Sequence, residues 1–346
     1  MPKFFITGAN GWLGSNLIQY IFSGKISAAV TPQNINVLCQ ENEDTSALSS
    51  LGITIHKGDV CDLKSIKSFL TNAEGATVIH LAGLIHPRLK ISDFFDVNYL
   101  GTKNIIEISQ RVGVKKIVLM SSNSPIGCNK SNKDEDIFTE DSPFNPYVKY
   151  GESKFLAEKF AQNFIAHNQS PKISIIRAPW FYGPNQPARQ TLFFTMIKDG
   201  KFPIVGSGEN KRSMAYTENL SQGIFRAALS EKADGEIYWI ADEKPYTMNK
   251  IICTVREVLQ NDFGIKCKNS VIKIPSFVSE CAYLADKTLQ GLGLYHQKIH
   301  VLSEMNKNIF CSIKKAERDL EYKPEFDLRS GMKKSIEWCL NNNIKI

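Results

Sequence analysis

Three sets of residues in this chain have the types and spacing to do chemistry. The first is the glycine set of Lys3-Phe-Phe-Ile-Thr-Gly8-Ala-Asn10-Gly11-Trp12-Leu13-Gly14. A short apolar run ends in Gly-x-x-Gly-x-x-Gly, and Leu17, Ile18, Ile21 and Phe22 follow at helical spacing, so the stretch reads strand, tight turn, helix over 15–22. Glycine suits a turn that needs unusual dihedrals and close approach of backbone to ligand, and the open amides of a helix N-terminus attract a pyrophosphate. The second set is Tyr150 and Lys154, in a helix opened by Asn145-Pro-Tyr147 and running to about His167. Four residues apart, they share one helical face with Cβ atoms about 5–6 Å apart, while Tyr147 offers a competing phenol. The third is the run of hydroxyls Ser121, Ser122 and Ser124 before Gly127.

These sets work together only if one sheet collects them. Strand-like runs at 35–39, 53–56, 77–82, 115–121 and 173–177 alternate with helical segments. The near-continuous apolar runs among them read as strands covered on both faces, hence a parallel sheet with crossover helices: a doubly wound α/β fold of Rossmann type. Ligands in such folds lie beyond the carboxyl ends of the strands, which directs attention to the residues after each run. After the second come Gln40 and Glu41, where a ribose-binding acid or a phosphate-binding Arg is sought. After the third comes Gly58-Asp59-Val60, with Asp59 able to accept from an adenine amino group or to serve as a helix N-cap region residue. After the fourth come Leu81, Ala82 and Gly83, small enough for a flat ring to lie against backbone.

The 346 residues suit one large or two intimately joined domains, and 42% hydrophobic with 22% charged residues is ordinary globular composition. No apolar run approaches the roughly 18 residues of a membrane span. With no secretory pattern before the first strand, the expectation is a cytoplasmic protein without membrane partners. The formal charge of +7 is spread without a Lys/Arg block, which disfavours nucleic acid and weakly favours an anionic ligand. Eight scattered cysteines lack Cys-x-x-Cys spacing and read as free thiols; His296 and His300, four apart, lack the Glu of a His-Glu-x-x-His site, and no metal is expected.

The ordered motifs Thr7-Gly-Ala-Asn-Gly-Trp-Leu-Gly14, Gly58-Asp-Val60, His80-Leu-Ala-Gly83, Val97-Asn98-Tyr-Leu-Gly101-Thr102, Ser121-Ser122, Tyr150-Gly-Glu-Ser-Lys154, Arg177-Ala-Pro179-Trp180-Phe-Tyr-Gly183-Pro184 and Arg212-Ser-Met-Ala-Tyr216 resemble the extended short-chain dehydrogenase/reductase superfamily, of the NAD-dependent epimerase/dehydratase type. With the tail from Ser312 to Pro324, the resemblance spans essentially the whole chain. It implies a nucleotide domain of residues 1–177 plus about 214–242 and a discontinuous substrate cap of about 178–213 plus 243–346, with the cleft between them. It also implies a homodimer through the helices at 94–111 and 150–167.

By the same resemblance, NAD would contact Gly8, Asn10, Gly11, Trp12, Leu13, Gly14, Gln40, Asp59, Val60, Leu81, Ala82, Gly83, Asn98, Tyr150, Lys154 and Pro179. Hydride transfer at a carbinol needs a base beside it, and a phenol working near pH 7 needs a shift of about three units. Lys154 and a positive nicotinamide ring would supply that to Tyr150, with Ser122, five residues before Gly127, bonding the substrate oxygen. Ser121 and Ser124 stay open as alternatives, and Asn98 is as readily a structural helix residue. Asn123-Ser124 stands where 4,6-dehydratases place Asp-Glu, which disfavours dehydration. Ser122, Asn123, Trp180 and Arg212 would meet the substrate, with Arg212 on phosphates and Trp180 alternatively in the core. NAD is expected over NADP because no basic residue stands in the glycine loop or soon after Cys39. A nucleotide-linked sugar is the favoured substrate, ahead of an apolar alcohol of the 3β-hydroxysteroid type, to which Trp180 and the 275–300 segment point, and ahead of a sensor without turnover.

Overall fold

Apolar side chains on both faces of each central strand dictate the architecture. In the structure, a computed structural model describing residues 2–25, 30–87 and 90–346, seven parallel strands form one sheet. They are β1 (Phe4–Thr7), β2 (Ile35–Cys39), β3 (Thr54–Lys57), β4 (Thr77–His80), β5 (Lys116–Met120), β6 (Lys172–Arg177) and β7 (Ile237–Trp239), in spatial order 3-2-1-4-5-6-7. Side chains alternate across the pleat. Phe4 and Ile6 of β1 enter one core while Phe5 enters the other, and Val118 of β5 likewise opposes Ile117 and Leu119. Helices Trp12–Ile21 and Thr217–Leu229 cover the first face; Leu63–Phe69, Gly101–Arg111 and Val148–His167 cover the second.

The chain reverses direction across the sheet between β1 and β4, which are neighbours with Thr7 beside His80. The carboxyl ends of β1, β4, β5 and β6 therefore open into one crevice, at a topological switch point. Beyond β6, Trp180–Tyr182 pairs with Met214–Tyr216, and a third core gathers Tyr182, Phe194, Met214, Tyr216, Ile251, Val255, Met332 and Ile336 from helices Ala188–Lys198, Met248–Glu257 and Leu328–Asn341. This core backs the cap side of the crevice. Residues 311–322 belong to the tail grouped with the cap in sequence, yet Cys311, Ile313, Ala316, Leu320 and Tyr322 pack into the first core with Phe4 and Ile6.

Asp242 joins the first and third cores. It is buried, and its carboxyl accepts from Tyr182 Oη (2.8 Å), Tyr216 N (2.9 Å) and Asn219 Nδ2 (2.9 Å). Burial pushes its pKa up to about 7, against those three hydrogen bonds. A folded-state value above the unfolded one means that the protonated acid is favoured by folding. The stability it contributes is complete below about pH 4 and is lost as pH rises through about 7. Asp242→Asn should flatten the fall in melting temperature between pH 5 and 8; a slope equal to wild type would show that other groups carry it.

Candidate active site

The glycine turn between β1 and helix Trp12–Ile21 is shaped by contact. Gly8 sits at φ +72°, and a Cβ there would meet Ala82 N at 2.7 Å, on the neighbouring strand end. A Cβ on Gly14 would lie 2.1 Å from Gly8 O, so only glycine lets helix and strand approach this closely. Gly11 caps the helix without a side-chain hydrogen bond, leaving the first-turn amides of Trp12, Leu13 and Gly14 open to an anion. Leu13 itself is buried in the first core, so it offers a ligand its backbone rather than its side chain. Trp12 packs at a tilt against Phe181 (4.6 Å) and donates to Pro184 O (2.7 Å), and Asn10 donates to Asp44 O (2.9 Å), so the turn is tied to the segments on either side of it.

At the end of β2, Gln40 N donates to Glu43 (3.0 Å), and a residue missed in sequence arrives from the next strand: Lys57, opposite Cys39, holds the carbonyls of Gln40 (3.2 Å) and Glu43 (2.9 Å). No basic residue follows Cys39 locally, but parallel pairing brings one beside it. After β3, Asp59 accepts from Cys61 N (2.8 Å), while the cap of helix Leu63–Phe69 is Asp62, bonded to Lys64 N and Ser65 N. Val60 is buried against Leu38 and Ile66 in the second core.

After β4, the Thr7 hydroxyl contacts His80 Nδ1 (2.7 Å) and accepts from Ala82 N (3.2 Å), holding Leu81, Ala82 and Gly83 in line with the glycine turn. The continuous helix at 92–111 takes a π-turn over Phe95–Leu100 that places Asn98 wholly inside. Asn98 bonds Leu84 through both amide atoms (2.8 and 3.0 Å) and donates to Ser153 (3.0 Å), pinning the loop after β4 to helix Val148–His167.

Tyr150, Lys154 and Glu158 succeed one another at every fourth residue along Val148–His167. Lys154 Nζ donates to Met120 O (3.1 Å) and would lie 3.2 Å from a Cβ on Gly83, so the ammonium stands between the ends of β4 and β5. Burial pushes its pKa down to about 8, with the Glu158 charge acting in the other direction. Tyr150 is pushed up to about 12 by burial, offset in part by a hydrogen bond with Ser122. Lys154 is not among the groups that shift Tyr150; the hydroxyl of Ser122 is the neighbour that favours its phenolate.

The phenols and serines that the sequence left open have different partners here. Tyr147 is buried with its hydroxyl on Ser303 (2.8 Å), and burial holds its pKa far above the usual range, whereas Tyr150 faces Ser122. Ser121 is bonded to Glu158, and Ser122 lies between Tyr150 and Ser124 Oγ (3.4 Å). Glu158 also takes the Arg177 guanidinium (2.8 Å), which donates to Glu140 O (2.9 Å) and lies over Phe144 and Trp239. This buried triad beneath the site had no local signal beyond the four-residue spacing. Asn123 N donates to Ala178 O (3.1 Å), tying the serine turn to the end of β6 beside buried Pro179.

Across the crevice, Trp180 is half-buried, edge-to-face with Phe193 (5.3 Å) and donating to Gln190 (3.3 Å). Arg212 is buried; Nη2 donates to Glu304 O (2.6 Å), and Nε has no hydrogen-bond partner among the described residues. His296 caps helix Gln297–Glu304 through Ile299 N (3.3 Å), while His300 bonds Asp286 (2.9 Å). Among the described residues no group of three or more metal-binding side chains forms. Burial would lower His300, but the Asp286 hydrogen bond and the charges of Glu304 and Asp286 outweigh it and raise its pKa. Tyr295 lies between His300 (5.7 Å) and Phe94 (6.1 Å), and Phe94 touches Tyr150 (5.8 Å), so the hairpin carrying His300 walls the crevice opposite the phenol.

The model of the NAD dependent epimerase/dehydratase family matches residues 4–241. The chain belongs to that family. It is similar to the "Uncharacterized protein y4nL" of Sinorhizobium fredii, 47% identical over 99% of this chain and 96% of the relative. An N-acetyl-α-D-glucosaminyl-diphospho-ditrans,octacis-undecaprenol 4-epimerase of Escherichia coli O157:H7 is 29% identical over 73% of this chain and 71% of its own. Among solved structures, dTDP-glucose 4,6-dehydratase of Bacillus anthracis in complex with NAD superposes with a TM-score of 0.75 over 99% of this chain and 98% of its own; at 17% identity that likeness speaks for the fold. The chain is thus an NAD-dependent enzyme of the extended short-chain dehydrogenase/reductase type. Its residues fit the dinucleotide: the uncapped helix start and the cradle that a Cβ on Gly8 or Gly14 would fill suit a pyrophosphate, and Gly83 leaves room beside Lys154. No described helix is long and apolar enough to cross a membrane.

Proposed function

We propose that this enzyme oxidises and re-reduces a secondary alcohol of a diphosphate-linked sugar, most simply a nucleotide-linked one, and so inverts it as a 4-epimerase does. The observation that carries the reading is buried Lys154, its ammonium on Met120 O (3.1 Å) at the end of β5 and one helical turn from Tyr150, at the switch point of a dinucleotide-type sheet. NAD, held along the glycine turn by Gly8, Gly11 and Gly14, would supply the hydride acceptor and donor. Tyr150 takes the carbinol proton and gives it back, Ser122 donates to the same oxygen as it gains carbonyl character, and Lys154 keeps its ammonium on Met120 O at the end of β5. Burial raises the phenol, and the positive charge of a bound nicotinamide ring would act in the opposite direction. Asn123-Ser124 supplies no acid to expel water, and dehydration is not proposed.

The diphosphate reading is supported by Arg212, whose buried, unpartnered Nε suits a charge-assisted bond to phosphate. The Escherichia coli relative acts, by its name, on a sugar linked through a diphosphate, which agrees. Arg212→Ala should weaken binding of UDP-, GDP- or dTDP-sugars about 10- to 100-fold, the worth of a charged hydrogen bond, while leaving NAD binding unchanged. A thermal-shift panel of these sugars and hydroxysteroids, each with NAD, tests the substrate class: stabilisation by sterols alone, indifferent to Arg212→Ala, overturns it. Interconversion of sugar epimers without net NADH accumulation is the result expected of the epimerase, and stoichiometric NADH would instead mark a dehydrogenase. Assembly as a homodimer is part of this proposal, by analogy with the family.

A further inference from the structure

The hairpin of helices Ser276–Gly291 and Gln297–Glu304 is folded inside out. A surface helix normally buries its apolar stripe and exposes its polar face. Here the fully buried positions of the first helix are Ser279, Ala282, Asp286 and Gln290, three of them polar. Phe277 (64% exposed), Leu284 (64%) and Leu292 (72%) point outward with exposed Cys281, and the 277/281/284/288/292 spacing places them on one stripe. The second helix repeats the inversion, burying His300 and Ser303 and exposing Val301. Val271, Ile272 and Leu294 are exposed as well, so that half of the exposed large hydrophobic side chains among the described residues fall within 271–301. Scattered single exposures need no explanation, but a continuous stripe does.

The polar inner face has an evident use, since it delivers His300 and Tyr295 to the crevice. The outer face has none among the described residues. Its surroundings indicate what covers it. Lys273, Lys287 and Lys298 are exposed beside Ile272, Leu284 and Val301 and have no ion-pair partner among the described residues, while the exposed acid on the helix, Glu280, is paired with Lys307 (2.5 Å). An apolar stripe on a helix surface, edged by unpaired lysines, matches the hydrocarbon boundary and anionic headgroups of a bilayer.

We propose that the outer face of the 271–301 hairpin docks on an anionic lipid bilayer, burying Phe277, Leu284 and Leu292 at the headgroup boundary with the lysines on the phosphates. Such contact is peripheral and needs no spanning helix, so it departs from the expectation of no membrane partner without contradicting the hydropathy that suggested it. The inner face of the same hairpin walls the crevice, which would then open beside the headgroups, within reach of a diphosphate sugar carried on a lipid. The docking itself follows from the fold and does not depend on the substrate proposed above.

Co-sedimentation of the full chain with vesicles of equal phosphatidylcholine and phosphatidylglycerol tests this without an activity assay. At least tenfold more protein should bind these than pure phosphatidylcholine vesicles, and 0.5 M salt should weaken the binding. Leu284→Glu/Leu292→Glu should reduce it at least tenfold, with NAD binding by fluorescence reporting that the fold is kept. Lys273→Glu/Lys287→Glu/Lys298→Glu is the second variant and decides the matter if the leucine variant does not fold. No binding by the wild type, or equal binding by wild type and variants, overturns the proposal. So does a wild-type dimer that ignores vesicles and becomes monomeric in the leucine variant, which would assign the stripe to a second copy of the chain.

Discussion

Tyr150→Phe should lower turnover about 10²- to 10⁴-fold, the usual worth of a positioned acid/base, and leave NAD affinity within about twofold. The separation is expected because the phenol faces Ser122, whereas the pyrophosphate cradle is made by Gly8, Gly11 and Gly14 at the other end of the crevice. The ring can stay in place, since its contact with Phe94 does not use the hydroxyl. Ser122→Ala should act in the same direction and displace the acidic limb of the pH–rate profile to higher pH, because the Ser122 hydroxyl lowers the Tyr150 pKa and its loss leaves burial unopposed. Measurement of single-turnover rates across pH for both variants, beside NAD binding by fluorescence, checks the assignment. More than about a tenth of wild-type turnover in Tyr150→Phe would remove the phenol from the base role. Tyr147 is a poor substitute, being committed to Ser303.

Glu158→Ala should cost about 3–5 kcal/mol of stability, the penalty for leaving one member of a buried ion pair without its partner. Arg177 is 1% exposed and spends two nitrogens on Glu158, and Ser121 leans on the same carboxylate. With Glu158 gone, the guanidinium keeps Glu140 O and the faces of Phe144 and Trp239, none of which neutralises it. The denaturant midpoint should fall at unchanged m-value, and Glu158→Leu/Arg177→Met should recover much of the loss by removing both charges. A loss below about 1 kcal/mol would mean that water reaches the guanidinium. Activity should also change, for a physical reason separate from stability. The Glu158 charge raises the Lys154 pKa, so its removal drops that value below about 8 and leaves less ammonium at neutrality. The acidic shift of the Lys154 titration distinguishes this from simple unfolding.

The parts of this protein legible in its residues are those governed by backbone geometry over a few positions. The run Phe4-Phe5-Ile6 can satisfy both faces of a parallel strand wherever it sits, and Gly8 and Gly14 are demanded by a positive φ and a 2.1 Å conflict within one turn. The expected strand at 35–39 and the helix end at His167 appear with those limits, because periodicity and the local chain set them. The spacing of Tyr150 and Lys154 likewise needed only the pitch of a helix. What tertiary structure alone decided are choices between chemically equivalent groups. That Tyr147 commits its hydroxyl depends on Ser303, 156 positions away, and that Ser121 is committed depends on Glu158, 37 positions away. Lys57 reaches Gln40 through strand pairing, the tail at 311–322 joins the first core, and the hairpin at 276–304 turns its apolar face outward. A short-range pattern states which face is apolar, but the surface that meets it is set by packing across the whole chain.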